Sequence, residues 1–153
     1  MMKLAAMLGL GLLLAVAPAG AAPKVKDQTV ATWTTLVGKD RSEHSLTVHG
    51  GVLESQEVTH CGFPCPPQGD KSTKSIKLSN VKAFEANSLD DQGGSKVYRI
   101  GIEARGAHDM LDKRRSGTNR WSGLPGFAVF ASDQKALRDE AYKKLCEMIG
   151  QTP

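Results

Sequence analysis

One stretch of this chain carries a helical period. Between Asp133 and Ile149 the apolar residues Leu137, Ala141, Leu145, Met148 and Ile149 recur at three- and four-residue intervals, which lays them along one face of a helix. Ser132 offers an N-cap, Asp133 suits the positive end of the helix dipole, and Gly150 can take the left-handed conformation that closes a C-terminus. Nearly everything before it, past an apolar leader, alternates with period two or breaks at Gly and Pro. That contrast predicts an α+β protein: an antiparallel sheet or partly closed barrel of about 5–7 strands, with the amphipathic helix packed across it.

The strands follow from the alternation. Thr29 to Val37 is rich in β-branched residues, and the bulk of Trp33 makes its face the buried one. Ser45 to His49 and Val52 to Glu57 flank Gly50-Gly51, a pair suited to a two-residue hairpin turn, in a register that sets Val48 opposite Leu53. His60 to Lys74 holds Pro64, Pro66 and Pro67 and no period, so it reads as a loop. Ile76 and Leu78 then alternate with polar residues, and Val81 to Ala86 continues past a turn at Ser79-Asn80, as two short strands or one bent one. Asp90, Asp91, Gly93 and Gly94 turn the chain into the clearest strand, where Tyr98, Ile100, Ile102 and Ala104 face one way and Arg99, Gly101 and Glu103 the other. Phe127 to Ala131 is apolar on both faces and reads as a strand covered on both sides, or on one side by the helix.

Residues 1–21 read as a secretory signal peptide: Lys3 at a charged start, an apolar run from Leu4 to Val16, and the small residues Ala19-Gly20-Ala21 before the expected cut. Residues 22–153 then form one small domain in the periplasm or outside the cell. At 153 residues there is no room for two large domains, and past the leader no run is long and apolar enough to span a bilayer as a helix. Lys and Arg exceed Asp and Glu by four, and loss of Lys3 leaves +3. Such a mild excess permits an anionic partner, and it lacks the concentrated basic face that nucleic-acid binding requires.

The element order from Ser45 to Gly150 is similar to that of pleckstrin-homology-like domains, with Ile76-Lys77-Leu78-Ser79-Asn80-Val81 and Phe127 to Ile149 as the stretches that carry the likeness. In such domains a C-terminal helix plugs an antiparallel, partly closed barrel, and the resemblance implies a binding module. Tyr142 or Leu145 falls where those domains often carry a helix Trp. The first hairpin lacks the basic pattern of the phosphoinositide-binding members.

Cys61, Cys65 and Cys146 make an odd count for an oxidising compartment, so at most one internal disulfide forms. A local Cys61–Cys65 bridge closes the Gly62-Phe63-Pro64 loop, and the alternative staples one of them to Cys146, closing a loop of about 80 residues. Cys146 lies about 100° around the helix from the stripe residue Leu145, beside Tyr142 and Ile149, where a third thiol would be hidden. The alternative chemistry is metal or redox work. His60, Cys61 and Cys65 offer an imidazole and two soft sulfurs suited to copper, and the stretch Thr59 to Pro66 is similar to the copper-binding loop of Sco-type copper chaperones. Those proteins carry a thioredoxin fold and place their ligand His further downstream than His108 stands here.

Hydrolase and nucleotide motifs are missing from the chain. His44 and His49 fall on opposite strand faces, as do Glu54 and Glu57, so all four read as solvated hairpin side chains. The remaining candidate is the long aperiodic connection from Arg105 to Pro125. Arg105, Lys113, Arg114, Arg115 and Arg120 there outnumber Asp109 and Asp112 by three, and Trp121 ends the cluster. A connection this long is either mobile or functional, and Arg with Trp is a common hot-spot pairing. The sequence therefore predicts a secreted or periplasmic, non-enzymatic binding module. Its contact surface is Lys113, Arg114, Arg115, Arg120 and Trp121, and its partner an anionic envelope component or an acidic protein surface. No cofactor is implied unless the copper or thiol-redox alternative holds.

Overall fold

Gly50 and Gly51 both take positive φ, 56° and 74°, the backbone a type I′ hairpin turn demands at its two central residues. The turn joins β2 (Asp40–His49) to β3 (Val52–His60) with Val48 opposite Leu53, as the sequence predicts. In this computed structural model the described residues are 25–62, 69–91, 93–106, 110–114, 117–121 and 127–153, without the side chains of 110, 117–121 and 127. The predicted leader, residues 1–21, lies outside them.

The same meander includes β1 (Gln28–Val37), turned into β2 at Gly38 with φ 63°, and β4 (Asp70–Lys77) on the far side of β3. A bulge between Thr29 and Ala31 puts both Val30 and Ala31 in the core beside Trp33. The expected loop from His60 to Lys74 ends sooner than the sequence suggests, because β4 already begins at Asp70. Gly69 sets that start. Its φ is +81°, and a Cβ there would stand 2.8 Å from Val58 Cγ1 and 3.0 Å from the Thr59 carbonyl oxygen, so only glycine fits.

A 3₁₀ turn at Leu78–Asn80 ends the meander and sends the chain into a second sheet, which resolves the Ile76–Ala86 region as two strands. That sheet holds β5 (Val81–Asp90), β6 (Lys96–Ala104) and β9 (Phe127–Ser132), in the order β5-β6-β9. Between β6 and β9 the chain returns to the first sheet as β7 (Met110–Arg114) and β8 (Gly117–Trp121), giving the order β1-β2-β3-β4-β7-β8. The aperiodic connection predicted over 105–125 thus contains a hairpin, docked on β4 with Thr73 opposite Lys113 and Lys74 opposite Asp112. The α+β class stands. Among the described residues there are nine strands in two open antiparallel sheets, more than the five to seven expected, and neither sheet closes into a barrel.

The helix, α1 (Lys135–Ile149), starts later than predicted because Ser132 is still a strand residue paired with Tyr98. Ser132 Oγ instead accepts a hydrogen bond from the Gln134 amide at 3.1 Å. Gly150, at φ 71°, donates its amide to the Cys146 and Glu147 carbonyls and closes the helix as expected. Leu46, Val48, Leu53 and Ile76 from the first sheet meet Phe84, Ile100 and Phe130 from the second, with Ala141, Leu145 and Cys146 of α1 in the same core.

Two contacts seat the helix. Arg138, buried at its first turns, donates to the Asn87 carbonyl at 3.0 Å and lies 5.5 Å over the Tyr98 ring. Past the C-terminus, Gln151 treats β5 as a partner strand would: its Oε1 accepts from the Phe84 amide and its Nε2 donates to the Phe84 carbonyl, both at 2.8 Å. Gln151→Ala removes both bonds, leaves the Phe84 carbonyl only the Tyr142 hydroxyl at 3.5 Å, and is expected to lower stability by about 1–3 kcal/mol. In urea unfolding the midpoint falls while the slope stays constant.

Candidate functional site

The inner face of the six-stranded sheet changes character along its strands. Near the Gly50-Gly51 turn it is apolar, carrying Leu46, Val48, Leu53 and Ile76 into the core. Toward the other end the positions on the same face are polar. Strand register sets them in rows: Trp33, His44, Glu57 and Ser72 lie across four consecutive strands, and Leu46, Ser55, Lys74 and Asp112 form the next row. Direct cross-strand neighbours stand about 5 Å apart, so His44, Glu57, Ser72, Ser55, Lys74 and Asp112 form one continuous polar patch bordered by Trp33 and Leu46.

Strand β9 overhangs part of it. Ser55 Oγ donates to the Val129 carbonyl and Trp33 Nε1 to the Ala131 carbonyl, each at 2.8 Å. Beneath β9 lies a cavity of about 100 Å³, lined on this sheet by Trp33, His44, Ser55, Glu57, Ser72 and Lys74. A second depression of about 210 Å³ shares Glu57, Ser72 and Lys74 and extends to Thr59, Asp70, Lys71 and Arg114.

His44 is not the solvated side chain that the sequence predicts, and Glu57 is half-buried beside it. The His44 ring stacks on Trp33 with 4.9 Å between centroids and 5° between planes, while its Nε2 lies 2.8 Å from Thr35 Oγ1. Burial lowers its pKa, Glu57 opposes that shift and Lys74 adds to it. The Thr35–His44 distance suits a nucleophile and its base. Among the described residues, however, no hydrogen bond joins His44 to Glu57 to supply the orienting third group. His49, the other member of that prediction, is exposed at the strand end and pairs with Asp27 at 2.6 Å.

Of the five predicted contact residues, the structure places two side chains, and on opposite faces. Arg114 lines the 210 Å³ depression on the inner face, and its Nε donates to Asp112 Oδ2 at 3.1 Å. Lys113, opposite Thr73, is exposed on the outer face. Lys71, exposed and two residues from Thr73, occupies a diagonal position on that same face, a cation the sequence reading did not include. Arg120 and Trp121 pair in backbone register with Leu111 and Met110, and Arg115 lies outside the described residues.

Asp112 is fully buried, and among the described residues its Oδ1 has no hydrogen-bond partner. Arg114 is thus its counterion, and removing the guanidinium would leave a buried carboxylate unpaired.

The cysteine loop leaves less to describe. His60 ends β3, with Nε2 3.9 Å from Glu43 Oε2. Cys61 is disulfide-bonded, Cys65 lies outside the described residues, and Cys146 is a free thiol with no exposed surface. Burial pushes the Cys146 thiol up, which keeps it protonated and unreactive. Among the described residues no three His, Cys, Asp or Glu side chains group as metal ligands, and no helix is long and apolar enough to cross a membrane.

No protein-family model, curated protein or solved structure matches this chain.

The lowered His44 pKa has a sign. Between the folded value and the ordinary one near 6.5 the unfolded chain binds the extra proton, so stability falls as pH drops through that window and levels off below the folded pKa. In denaturant titrations from pH 8 to pH 5, the His44→Gln variant is expected to lose less stability than the parent chain. Equal losses would mean that the buried ring does not drive the pH dependence.

Proposed function

We propose that this chain is a secreted or periplasmic, non-enzymatic binding module that presents the β7–β8 hairpin to an anionic partner, an envelope polyanion or an acidic protein face. The observation that carries the reading is the docking of the hairpin on β4. The pairing holds Lys113 exposed on the outer face, diagonal to Lys71, instead of leaving it on a free loop. Backbone held in register spares a partner the entropy of ordering that segment. The pleckstrin-homology-like layout is part of the same proposal and rests on element order alone, two antiparallel sheets followed by a C-terminal helix.

Arg114 serves Asp112, so a test of binding leaves it in place. The variant Lys71→Gln/Lys113→Gln/Arg115→Gln/Arg120→Gln is expected to elute from an immobilised polyanion, or release from anionic vesicles, at clearly lower salt than the parent chain, with unchanged thermal stability. Equal retention of the two proteins sinks the reading.

The same proposal places Cys61 in a local bridge with Cys65, as an oxidising compartment favours. The expected thiol count is zero rapidly reactive thiols in native protein and one after denaturation. Proteolysis is expected to leave Cys61 and Cys65 in one cross-linked peptide. A peptide joining either of them to Cys146 would overturn the local bridge.

A further inference from the structure

Past the end of β4 away from Lys71 and Lys113, a cleft of about 730 Å³ opens between the β2–β3 turn, the 3₁₀ turn after β4 and the last turn of α1. Its volume lies in the range of small-molecule sites, about 300–1,000 Å³. The walls are mainly aliphatic: Val25, Val52, Leu78, Val81, Met148 and Ile149. Leu78 and Val81 are buried at its floor, while Val25, Val52, Met148 and Ile149 remain half-exposed, so their side chains still offer apolar surface to an occupant.

Among the described lining residues the charge has one sign. Lys77 and Arg105 both line the cleft and both are exposed, and among the described residues no Asp or Glu lines it. Neither cation takes part in an ion pair among the described residues, whereas Lys82, Lys135 and Lys144 each hold a carboxylate within 2.7 Å. Main-chain bonds hold the two positions. The Leu78 amide donates to the Gly51 carbonyl at 2.9 Å and the Arg105 amide to the Asn80 carbonyl at 2.8 Å, which ties both flanks of the cleft to the 3₁₀ turn and the hairpin.

An aliphatic trough with two cations that hold no carboxylate among the described residues matches a molecule that is itself divided. We infer that the cleft binds a single-chain anionic amphiphile, an unbranched acyl chain ending in a carboxylate. The chain lies against Val52, Met148 and Ile149, and the head group meets Lys77 and Arg105. Guanidinium and ammonium donors give charge-assisted hydrogen bonds to such a carboxylate. A cationic amphiphile of the same chain length meets the same apolar wall and is repelled by both cations. This inference is independent of the hairpin reading, since none of its residues lies on β7 or β8.

The test uses the full chain with methyl-labelled methionine and two ligands of equal chain length, dodecanoate and dodecyltrimethylammonium, each below its micellar concentration. One dodecanoate per chain is expected by calorimetry, with the Met148 methyl resonance shifting in step with saturation and much weaker binding of the ammonium. The Lys77→Glu/Arg105→Glu variant changes only exposed side chains. It is expected to keep its fold by circular dichroism, lose dodecanoate affinity by about tenfold or more, and gain affinity for the ammonium. The inference fails if dodecanoate does not bind, or binds without moving Met148, or binds the double variant as tightly as the parent. It also fails if the cleft is already filled by residues 1–24 or by a second copy of the chain, seen as contacts to the Met148 methyl in the ligand-free protein.

Discussion

Strand β9 has one hydrogen-bonded neighbour, β6, and its other edge faces the interior between two sheets, where unpaired carbonyls would be costly. Two side chains from the larger sheet answer that edge. Trp33 Nε1 and Ser55 Oγ reach the Ala131 and Val129 carbonyls, alternate residues on the free side of the strand. These bonds fix how the sheets face each other without any strand passing from one to the other. Trp33 then lies 4.3 Å from Phe130 at a 40° tilt, which makes the donor part of the core as well. Gln151 serves the opposite edge of the small sheet in the same way at Phe84. Side chains thus take up main-chain groups on both edges of the small sheet, and the two sheets stay open.

Elements with strong local signals were legible in the sequence. The paired glycines gave the β2–β3 hairpin and its Val48–Leu53 register, the 3.6 period gave α1 with its Gly150 cap, and the place of Cys146 beside the apolar stripe matched its burial. What escaped was structure whose inner face is polar. A strand is recognised by contrast between its two faces, and β4 carries Ser72 and Lys74 where a core strand would carry Val or Ile. Strand β7 hides in the same way, since its fully buried residue is an aspartate. The role of His44 was beyond reach for another reason. Its burial depends on the Trp33 stack, and Trp33 is itself held by Ala131, 98 residues further along the chain. Long-range hydrogen bonds of that kind leave no periodic trace.

The polar inner face has a geometric origin. Three strands and a 15-residue helix are too few to cover six strands, so the cover ends partway along the larger sheet. Where the second sheet and α1 overlie it, the facing positions are Leu46, Val48, Leu53 and Ile76. Beneath β9 and past its edge the same alternation carries His44, Glu57, Ser72, Lys74 and Arg114. Apolar residues there would leave an exposed patch prone to association. The charges alternate in sign, and at that end the hairpin is held by the backbone pairing of β7 with Thr73, Lys74 and Ser75 of β4, while Asp112 finds its counterion in Arg114 on its own strand.

This division also sets the two proposed surfaces apart. The cleft begins at Val52 and Lys77, which are directly paired across β3 and β4, and the hairpin docks on β4 at Thr73 and Ser75. Along β4, Lys77 and Lys71 are six residues apart, about 20 Å at roughly 3.3 Å per residue. That exceeds the screening length of about 8 Å at physiological salt, so a carboxylate held at Lys77 contributes little to the potential at Lys71 and Lys113. The two surfaces share one rigid strand and no side chain. Occupancy of the cleft would therefore influence the hairpin only by changing the pairing of β4 itself. The inner-face residues Lys74 and Asp112, paired across β4 and β7, are the positions at which such a change would first be felt.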